Sequence, residues 1–246
     1  MLHKNKKQST DIDVSVIMPA FNEEKSVGHA VIAVLQAFDD LELHGELIVV
    51  DDGSVDATKS VVRCSEKVDE RVRLIAHETN QGIGKAFWTG VNLATGTAVT
   101  MLPGDNENDP IETLRYVKLL EYVDIVVPFV FNKEVRSLFR NTLSFVYRFI
   151  INSTFLVHFN YTNGTVIYRR TVLDVIGSKN DGFFFQTDIL IRAVKSGFLF
   201  AEVPYRLSVR ESGRATAVSF PSLIQVVKGY LRLVRDLYSF RNRQKK

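Results

Sequence analysis

The 246-residue chain predicts an α/β fold, a mostly parallel central sheet with flanking helices. Two observations lead there. Short β-branched runs alternate with longer helical patterns through the first half, the order of parallel strands joined by crossover helices. Three strand ends also run directly into acidic or turn-forming segments, as in open sheets that bind ligands beyond the carboxyl ends of their strands.

The strands are expected at 14–18, 46–50, 71–76, 98–102 and 125–127. Between them, 24–38, 55–67, 83–94 and 111–121 read as helices by apolar spacing and by their breakers. Pro110 suits a first helical position, with Asp109 before it as N-cap. The segment 129–159 is aromatic and basic and offers no clear strand. Beyond it a strand is expected at 165–168, a helix at 185–194, a second strand at 199–207 and an amphipathic helix at 221–240. With no repeat or clean linker, 1–215 reads as one domain, followed at 216–246 by an amphipathic basic helix and tail.

Composition narrows the partners. A 46% hydrophobic share with only 14 Gly and 6 Pro excludes a disordered chain. The formal net charge of +3 is too mild to imply nucleic acid, and the basic residues are not interleaved with stacking aromatics on a recognisable module. They gather instead at the ends, at Lys4, Lys6 and Lys7 and at Arg241, Arg243, Lys245 and Lys246. Cys64 is the single cysteine, so no internal disulfide forms and a reducing compartment fits. The basic start lacks an apolar region behind it, so no secretory signal is read. No apolar stretch reaches the roughly 18–20 residues of a membrane span. The nearest, 143–159, is broken by Arg148, Asn152, Ser153, Thr154 and His158, so a soluble or peripheral chain is expected.

The chemistry sits after the strands. The first is followed by Pro19-Ala20-Phe21-Asn22-Glu23-Glu24, the second by Asp51-Asp52-Gly53-Ser54-Val55-Asp56, and the fourth by Pro103-Gly104-Asp105-Asn106-Glu107-Asn108-Asp109. Any one of these alone is also a turn with a helix cap; recurrence at one sheet edge favours a ligand site. No Gly-x-Gly-x-x-Gly follows the first strand, and Gly82-Ile83-Gly84-Lys85-Ala86 matches only part of a P-loop. Acidic strand ends suit ribose and sugar hydroxyls, or a divalent cation that carries phosphate.

Here a resemblance becomes specific. The run from Val16 to Glu24 resembles the opening of family-2 glycosyltransferases, and the run from Ile48 through Asp56 to Thr58 their nucleotide-binding segment. Asn80 to Ala86 with Gly90 and Ala94-Thr95-Gly96, then Gly164 to Arg170, Phe184-Phe185-Gln186-Thr187-Asp188, and Glu202-Val203-Pro204 with Arg210 and Gly213, resemble later blocks. Within that family the pattern is most similar to dolichyl-phosphate mannose synthases and bacterial polyprenyl-phosphate hexosyltransferases. The likeness runs from about residue 13 to 215.

That resemblance implies a GT-A, Rossmann-like fold with a nucleotide-sugar half at 13–127 and an acceptor half at 128–215. It implies that Pro19, Phe21, Glu23, Asp51, Asp52, Lys85 and Asp105 bind the nucleotide sugar, and that Asp105 and Glu107 hold Mg²⁺ or Mn²⁺. The chain departs from the Asp-x-Asp pattern in having Pro103 where the first aspartate belongs. For the acceptor it implies a polyprenyl phosphate embraced by Arg136, Arg140 and Arg210. Such a phosphate is already anionic and needs cations rather than a base. Asp105, Asp188 and Arg210 are the implied catalytic residues of an inverting hexosyl transfer.

Two other readings stay open. Asp188 could act as general base toward a glycan or glycolipid hydroxyl, with a helix-start charge as its structural alternative. Pro103 also admits a non-catalytic protein that binds nucleotide sugar or membrane and organises a partner. The apolar stripe through Leu223, Val227, Tyr230, Val234 and Leu237 suits a membrane surface, its own domain, a second copy of the chain or a membrane partner subunit. A peripheral position on the inner, cytoplasmic face of the membrane follows as the expectation.

Overall fold

The structure, a computed structural model, describes residues 13–132, 138–177, 180–206 and 220–241. Among them seven strands form one sheet: β1 (Val14–Ala20), β2 (Gly45–Asp51), β3 (Val72–Ala76), β4 (Ala98–Met101), β5 (Ile125–Val130), β6 (Ile167–Arg169) and β7 (Phe200–Tyr205). Their spatial order is β3-β2-β1-β4-β6-β5-β7, and only β6 runs antiparallel to its neighbours. The helices are α1 (Val27–Asp40), α2 (Thr58–Val68), α3 (Ile83–Leu93), α4 (Pro110–Leu114), α5 (Leu138–Phe155), α6 (Arg170–Ile176), α7 (Phe185–Lys195) and α8 (Phe220–Arg241).

Strands β1 and β2 are buried at every position, as strands covered on both faces must be. Their alternation splits the core in two. Val14, Val16 and Met18 share one layer with Leu47 and Val49, under Val27, Val31, Val34 and Phe38 of α1. Ile17, Ile48 and Val50 point the other way, toward Phe87 and Val91 of α3 and Ile189 and Leu190 of α7. In α1 the buried positions 27, 30, 31, 34, 37 and 38 keep the helical period that the sequence displayed.

Three departures from the sequence reading lie beyond β4. The expected helix at 111–121 is two pieces, α4 and a 3-10 turn at Val117–Glu121. Asp109 does cap α4, its Oδ1 accepting from the Ile111 amide at 2.9 Å, with Pro110 as the first helical residue. The aromatic stretch 129–159 contains α5, 18 residues long, whose Ile151 and Phe155 are buried while Phe145 and Phe149 stay exposed. The apolar stripe of α8 divides. Val226, Tyr230, Leu233, Val234, Leu237 and Tyr238 pack on the chain's own core, whereas Leu223, Ile224, Val227 and Leu231 remain exposed. Gly229 makes that docking close, since a Cβ there would lie 2.7 Å from the Phe184 Cβ.

Candidate active site

The ends of β1 and β2 lie in register, Ala20 opposite Asp51, and the loops beyond them are stitched together. The Asn22 amide donates to Ser54 Oγ at 2.9 Å, and Asn22 Oδ1 accepts from the Val55 amide at 3.0 Å. The Glu23 amide donates to Thr58 Oγ1 at 2.7 Å, and Glu24 exchanges bonds with Asp56 and Ala57. Asn22 pivots the turn at φ 57°, a left-handed conformation that asparagine tolerates. Phe21 remains exposed in front of this edge, Pro19 is buried, and the Glu23 carboxylate accepts from Ser26 Oγ.

Asp51 and Asp52 part ways. Asp51 Oδ1 accepts from the Ser54 amide at 3.1 Å. Asp52 takes the Gln81 amide on Oδ1 at 2.9 Å, the Gly82 amide on Oδ2 at 2.7 Å, and His77 Nδ1 at 2.7 Å. His77 reaches Thr89 of α3 with its other nitrogen at 3.0 Å. Asp52 thereby moors the 77–82 loop, which passes so close that a Cβ on Gly53 (φ 76°) would sit 2.5 Å from the Thr79 carbonyl carbon. Asp52→Asn keeps the shape but turns one acceptor into a donor facing an amide. We expect it to lower unfolding free energy by ~1–3 kcal/mol, the cost of one buried unsatisfied group, measured by denaturant titration; an unchanged midpoint would contradict this mooring role. Lys85, on the first turn of α3, is exposed.

The loop after β4 is drawn to the same edge, since the Gly104 amide donates to the Pro19 carbonyl at 3.0 Å. Asp105 follows, its Oδ1 accepting from the Glu107 amide at 3.1 Å, with Asn106 at φ 57° making the bend. Among the described residues no three His, Cys, Asp or Glu side chains gather to hold a metal unaided. Two carboxylates two residues apart do fit an Mg²⁺-type ion, which takes one or two carboxylates and completes its shell with phosphate oxygens and water. The donor set therefore suits a cation that arrives with a diphosphate.

Beside this loop lies a pocket of about 150 Å³, below the ~300–1,000 Å³ of drug-sized ligand sites. Its polar lining is Asn108, Tyr161, Asn163, Thr165, Gln186 and Tyr205, over Met101, Pro103, Pro128 and Val130. Tyr205 donates to Asn108 Oδ1 at 3.1 Å, tying the end of β7 to the acidic loop. Burial, then the charges of Asp109 and Glu112, push its phenol far up, so it stays neutral. Gln186, in the first turn of α7, donates to the Gly164 carbonyl at 2.7 Å. Its neighbour Thr187 donates to Asn163 Oδ1 at 3.0 Å and also bonds Tyr147 of α5 at 2.8 Å; burial raises the Tyr147 phenol to about 12.

Asp188 is turned away from that lining. Its carboxylate pairs with Arg192 Nε at 2.9 Å, and Arg192 reaches Asp236 of α8 at 2.7 Å. Burial raises the Asp188 pKa against the lowering pull of Arg192. Arg136 and Arg210 lie outside the described residues, as does the side chain of Arg140. The sequence reading gave no role to His77, Tyr147, Tyr161, Asn163 or Tyr205. An amide or phenol carries no motif of its own, and only the fold brings the last four together, while His77 sits apart against Asp52 and Thr89.

A family model described as glycosyl transferase family 2 matches residues 15–177. The chain is 30% identical over 168 residues to the dodecaprenyl-phosphate galacturonate synthase of Rhizobium johnstonii, across 66% of this chain and 49% of that one. It is 35% identical over 133 residues to the undecaprenyl-phosphate 4-deoxy-4-formamido-L-arabinose transferase of Photorhabdus laumondii, across 53% and 41% respectively. The chain thus spans about half the length of these curated relatives or less. Glucosyl-3-phosphoglycerate synthase from Mycobacterium tuberculosis, solved with UDP, superimposes with a TM-score of 0.68 at 20% identity, over 91% of this chain and 80% of that chain. The same enzyme with Mn²⁺, UDP-glucose and phosphoglyceric acid gives 0.66 at 20% identity, over 91% and 80%. At that identity the likeness is one of fold.

Proposed function

The chain belongs to glycosyl transferase family 2 and has a GT-A fold, and from that premise we propose that it moves a hexosyl unit from a nucleotide diphosphate sugar to a polyprenyl phosphate. The observation that carries this is the convergence of Asp51, Asp105 and Glu107 with a polar, sugar-sized pocket at one sheet edge. Both curated relatives are named for polyprenyl-phosphate chemistry, and solved structural neighbours are described with UDP, UDP-glucose, Mn²⁺ or Mg²⁺.

The nucleotide sits between Phe21 and Asp51, with Pro19, Glu23 and Lys85 along the same edge. Asp52 supports the loop beside it. A phosphate oxygen of the acceptor bonds to the anomeric carbon as the bond to the diphosphate breaks, inverting that carbon and releasing the nucleotide diphosphate. No proton need be removed from the nucleophile, so positioning and charge neutralisation supply the catalysis. Asp105 and Glu107 would hold Mg²⁺ or Mn²⁺, which neutralises charge on the departing diphosphate. Arg136, Arg140 and Arg210 are assigned to the acceptor phosphate.

The acceptor is lipid, and α5 supplies the matching surface. Its inner face bonds the pocket rim through Tyr147, while Phe145 and Phe149 are 61% and 64% exposed with Val146 and Ile150 beside them. No helix among the described residues is long and apolar enough to cross a membrane, and the reading is of a peripheral seat on its inner, cytoplasmic face. Exchanging Phe145 and Phe149 for Ser should weaken partition into anionic vesicles by on the order of tenfold per residue, from the ~1.5–3 kcal/mol of a buried phenylalanine. Flotation assays measure this, and unchanged partition would remove α5 from the interface.

The overall test is a screen of UDP- and GDP-sugars against short-chain polyprenyl phosphate with Mn²⁺, read as release of the nucleotide diphosphate. Release that depends on the lipid phosphate is expected. Transfer to a glycan hydroxyl with none to the phosphate would replace this reading, and tight sugar-nucleotide binding without any turnover would favour a non-catalytic protein.

A further inference from the structure

Resting on the transfer reading above, we propose that α5 links the bilayer to the pocket. Its inner side chains Tyr147, Arg148 and Asn152 are positioning residues that set the pocket wall at 159–164, and seating its outer face in lipid tightens that wall. The two sides of the helix touch different things. Asn152 grips the backbone of Phe159 twice, its Nδ2 donating to the carbonyl at 3.0 Å and its Oδ1 accepting from the amide at 3.1 Å. Arg148, one turn earlier, donates to the Asn160 carbonyl at 2.6 Å. Tyr147 bonds Thr187 Oγ1 at 2.8 Å and hydrogen-bonds the side chains of Asn163 and Thr162 as well. Within this same segment Tyr161, Asn163 and Gly164 line the pocket. Its other holds come from the body of the fold. Glu202 of β7 accepts from the Asn160 amide at 2.6 Å and from Asn160 Nδ2 at 2.7 Å, and Gln186 donates to the Gly164 carbonyl. The wall is thus fixed between the sheet and α7 on one side and α5 on the other.

Helix α5 is unevenly held. Near its C-terminal end Ile151 and Phe155 are buried, and Phe155 stacks on Tyr238 of α8 with ring centroids 6.4 Å apart. Ahead of that anchor Phe145, Val146, Phe149 and Ile150 stand out in solvent. Tyr147 and Arg148 lie among these exposed positions. Segments with few buried apolar contacts open most readily, so in water the grip of Tyr147 and Arg148 belongs to the less stable part of the helix. A bilayer changes that balance. The helix carries Arg140 and Arg148 and no acidic residue, which suits an anionic surface. An acceptor whose phosphate meets the sugar must also lead its prenyl chain out past this rim. Lipid covers all four apolar side chains together only when the helix is formed, and a ligand that favours one conformation shifts the population toward it. Order gained on the outer face is then order gained at 159–164.

Hydrogen–deuterium exchange on the full chain tests this, in buffer and with vesicles of equal parts phosphatidylcholine and phosphatidylglycerol. We expect the 159–164 amides to exchange more slowly on vesicles by roughly fivefold or more, the low end of usual coupling between sites. Tyr147→Phe combined with Arg148→Met keeps apolar bulk and removes both grips. That variant should still float with vesicles yet show no such slowing, whereas merely structural side chains would shift exchange equally with and without lipid. Unchanged exchange in the parent would overturn the link, as would a full response in the double variant. So would a response that survives exchange of Phe145 and Phe149 for Ser at saturating vesicles. Activity gives a second readout, with the donor that the screen above selects and geranyl phosphate as a soluble acceptor. Empty vesicles should raise kcat at saturating acceptor by the same order in the parent, and not in the double variant. A kcat indifferent to vesicles would overturn the proposal and leave glycosyl transfer standing. No turnover with any donor and lipid phosphate would end the transfer reading, while slowed exchange would still uphold the link between lipid and wall.

Discussion

Asp105→Asn is expected to lower metal-dependent transfer by roughly 10²–10³-fold, the cost of losing one fixed electrostatic stabiliser of transition-state charge. The side chain follows β4 on a loop tethered to β1 by the bond from the Gly104 amide to the Pro19 carbonyl. Its Oδ1 accepts from the Glu107 amide, a bond that asparagine's oxygen can also accept. The substitution therefore keeps the turn while removing the charge, and thermal unfolding should move little. With Pro103 where the first aspartate of the pattern belongs, the protein offers a cation few carboxylates, so each weighs more. Mn²⁺ binding in the presence of nucleotide diphosphate, followed by electron paramagnetic resonance, should weaken in parallel. A variant with full activity and undiminished Mn²⁺ binding would sink the assignment of Asp105 to the metal.

Much of this edge was legible in the sequence because strand-end chemistry is local. Asp51, Asp105 and Glu107 each follow a run of buried β-branched residues, so the period that marks the strand also marks where its end lies. The cap at Asp109 and Pro110 was legible for the same reason. What could not be read depends on contacts far apart in the chain. Asp52 stands next to Asp51 yet faces the 81–82 amides some 30 residues on, which no pattern of spacing announces. The stripe of α8 looked uniform, but close approach at Gly229 turns Tyr230, Leu233 and Leu237 inward and leaves Leu223, Val227 and Leu231 outside. Helix α5 was obscured because both its faces are apolar, so the hydrophobic period that identifies a one-sided helix is blurred. The lining of the pocket comes from the ends of β4, β5 and β7, from α7 and from two loops, and forms only once β6 has been inserted antiparallel between β4 and β5.

The largest expected loss of stability is at Arg192, and it also bears on the role of Asp188. Arg192 lies between two carboxylates, Asp188 within its own helix and Asp236 on α8, and joins the two helices. Removing one member of a buried ion pair leaves the other uncompensated, so Arg192→Leu should cost about 3–5 kcal/mol near neutral pH. The sign of its pH dependence follows from the partners. Burial raises the Asp188 pKa above its unfolded value, so its favourable contribution is complete below that value and lost as pH rises through the folded one. Without Arg192 the folded value climbs further. Although burial opposes it, bonding to Arg192 holds the Asp236 pKa down, so that pair stabilises above the ordinary carboxylate range and fades as pH falls through the depressed value. Both effects shrink the difference between variant and parent as pH falls toward the carboxylate range. Arg192→Leu combined with Asp188→Leu removes the stranded charge and should recover much of the loss. Denaturant unfolding at several pH values measures each quantity; a pH-independent deficit, or a double variant no better than the single, would refute the stranded charge. If Asp188→Asn then retains transfer to lipid phosphate, the buried pair is structural. A large drop in rate with binding retained would instead make Asp188 a base for a hydroxyl acceptor.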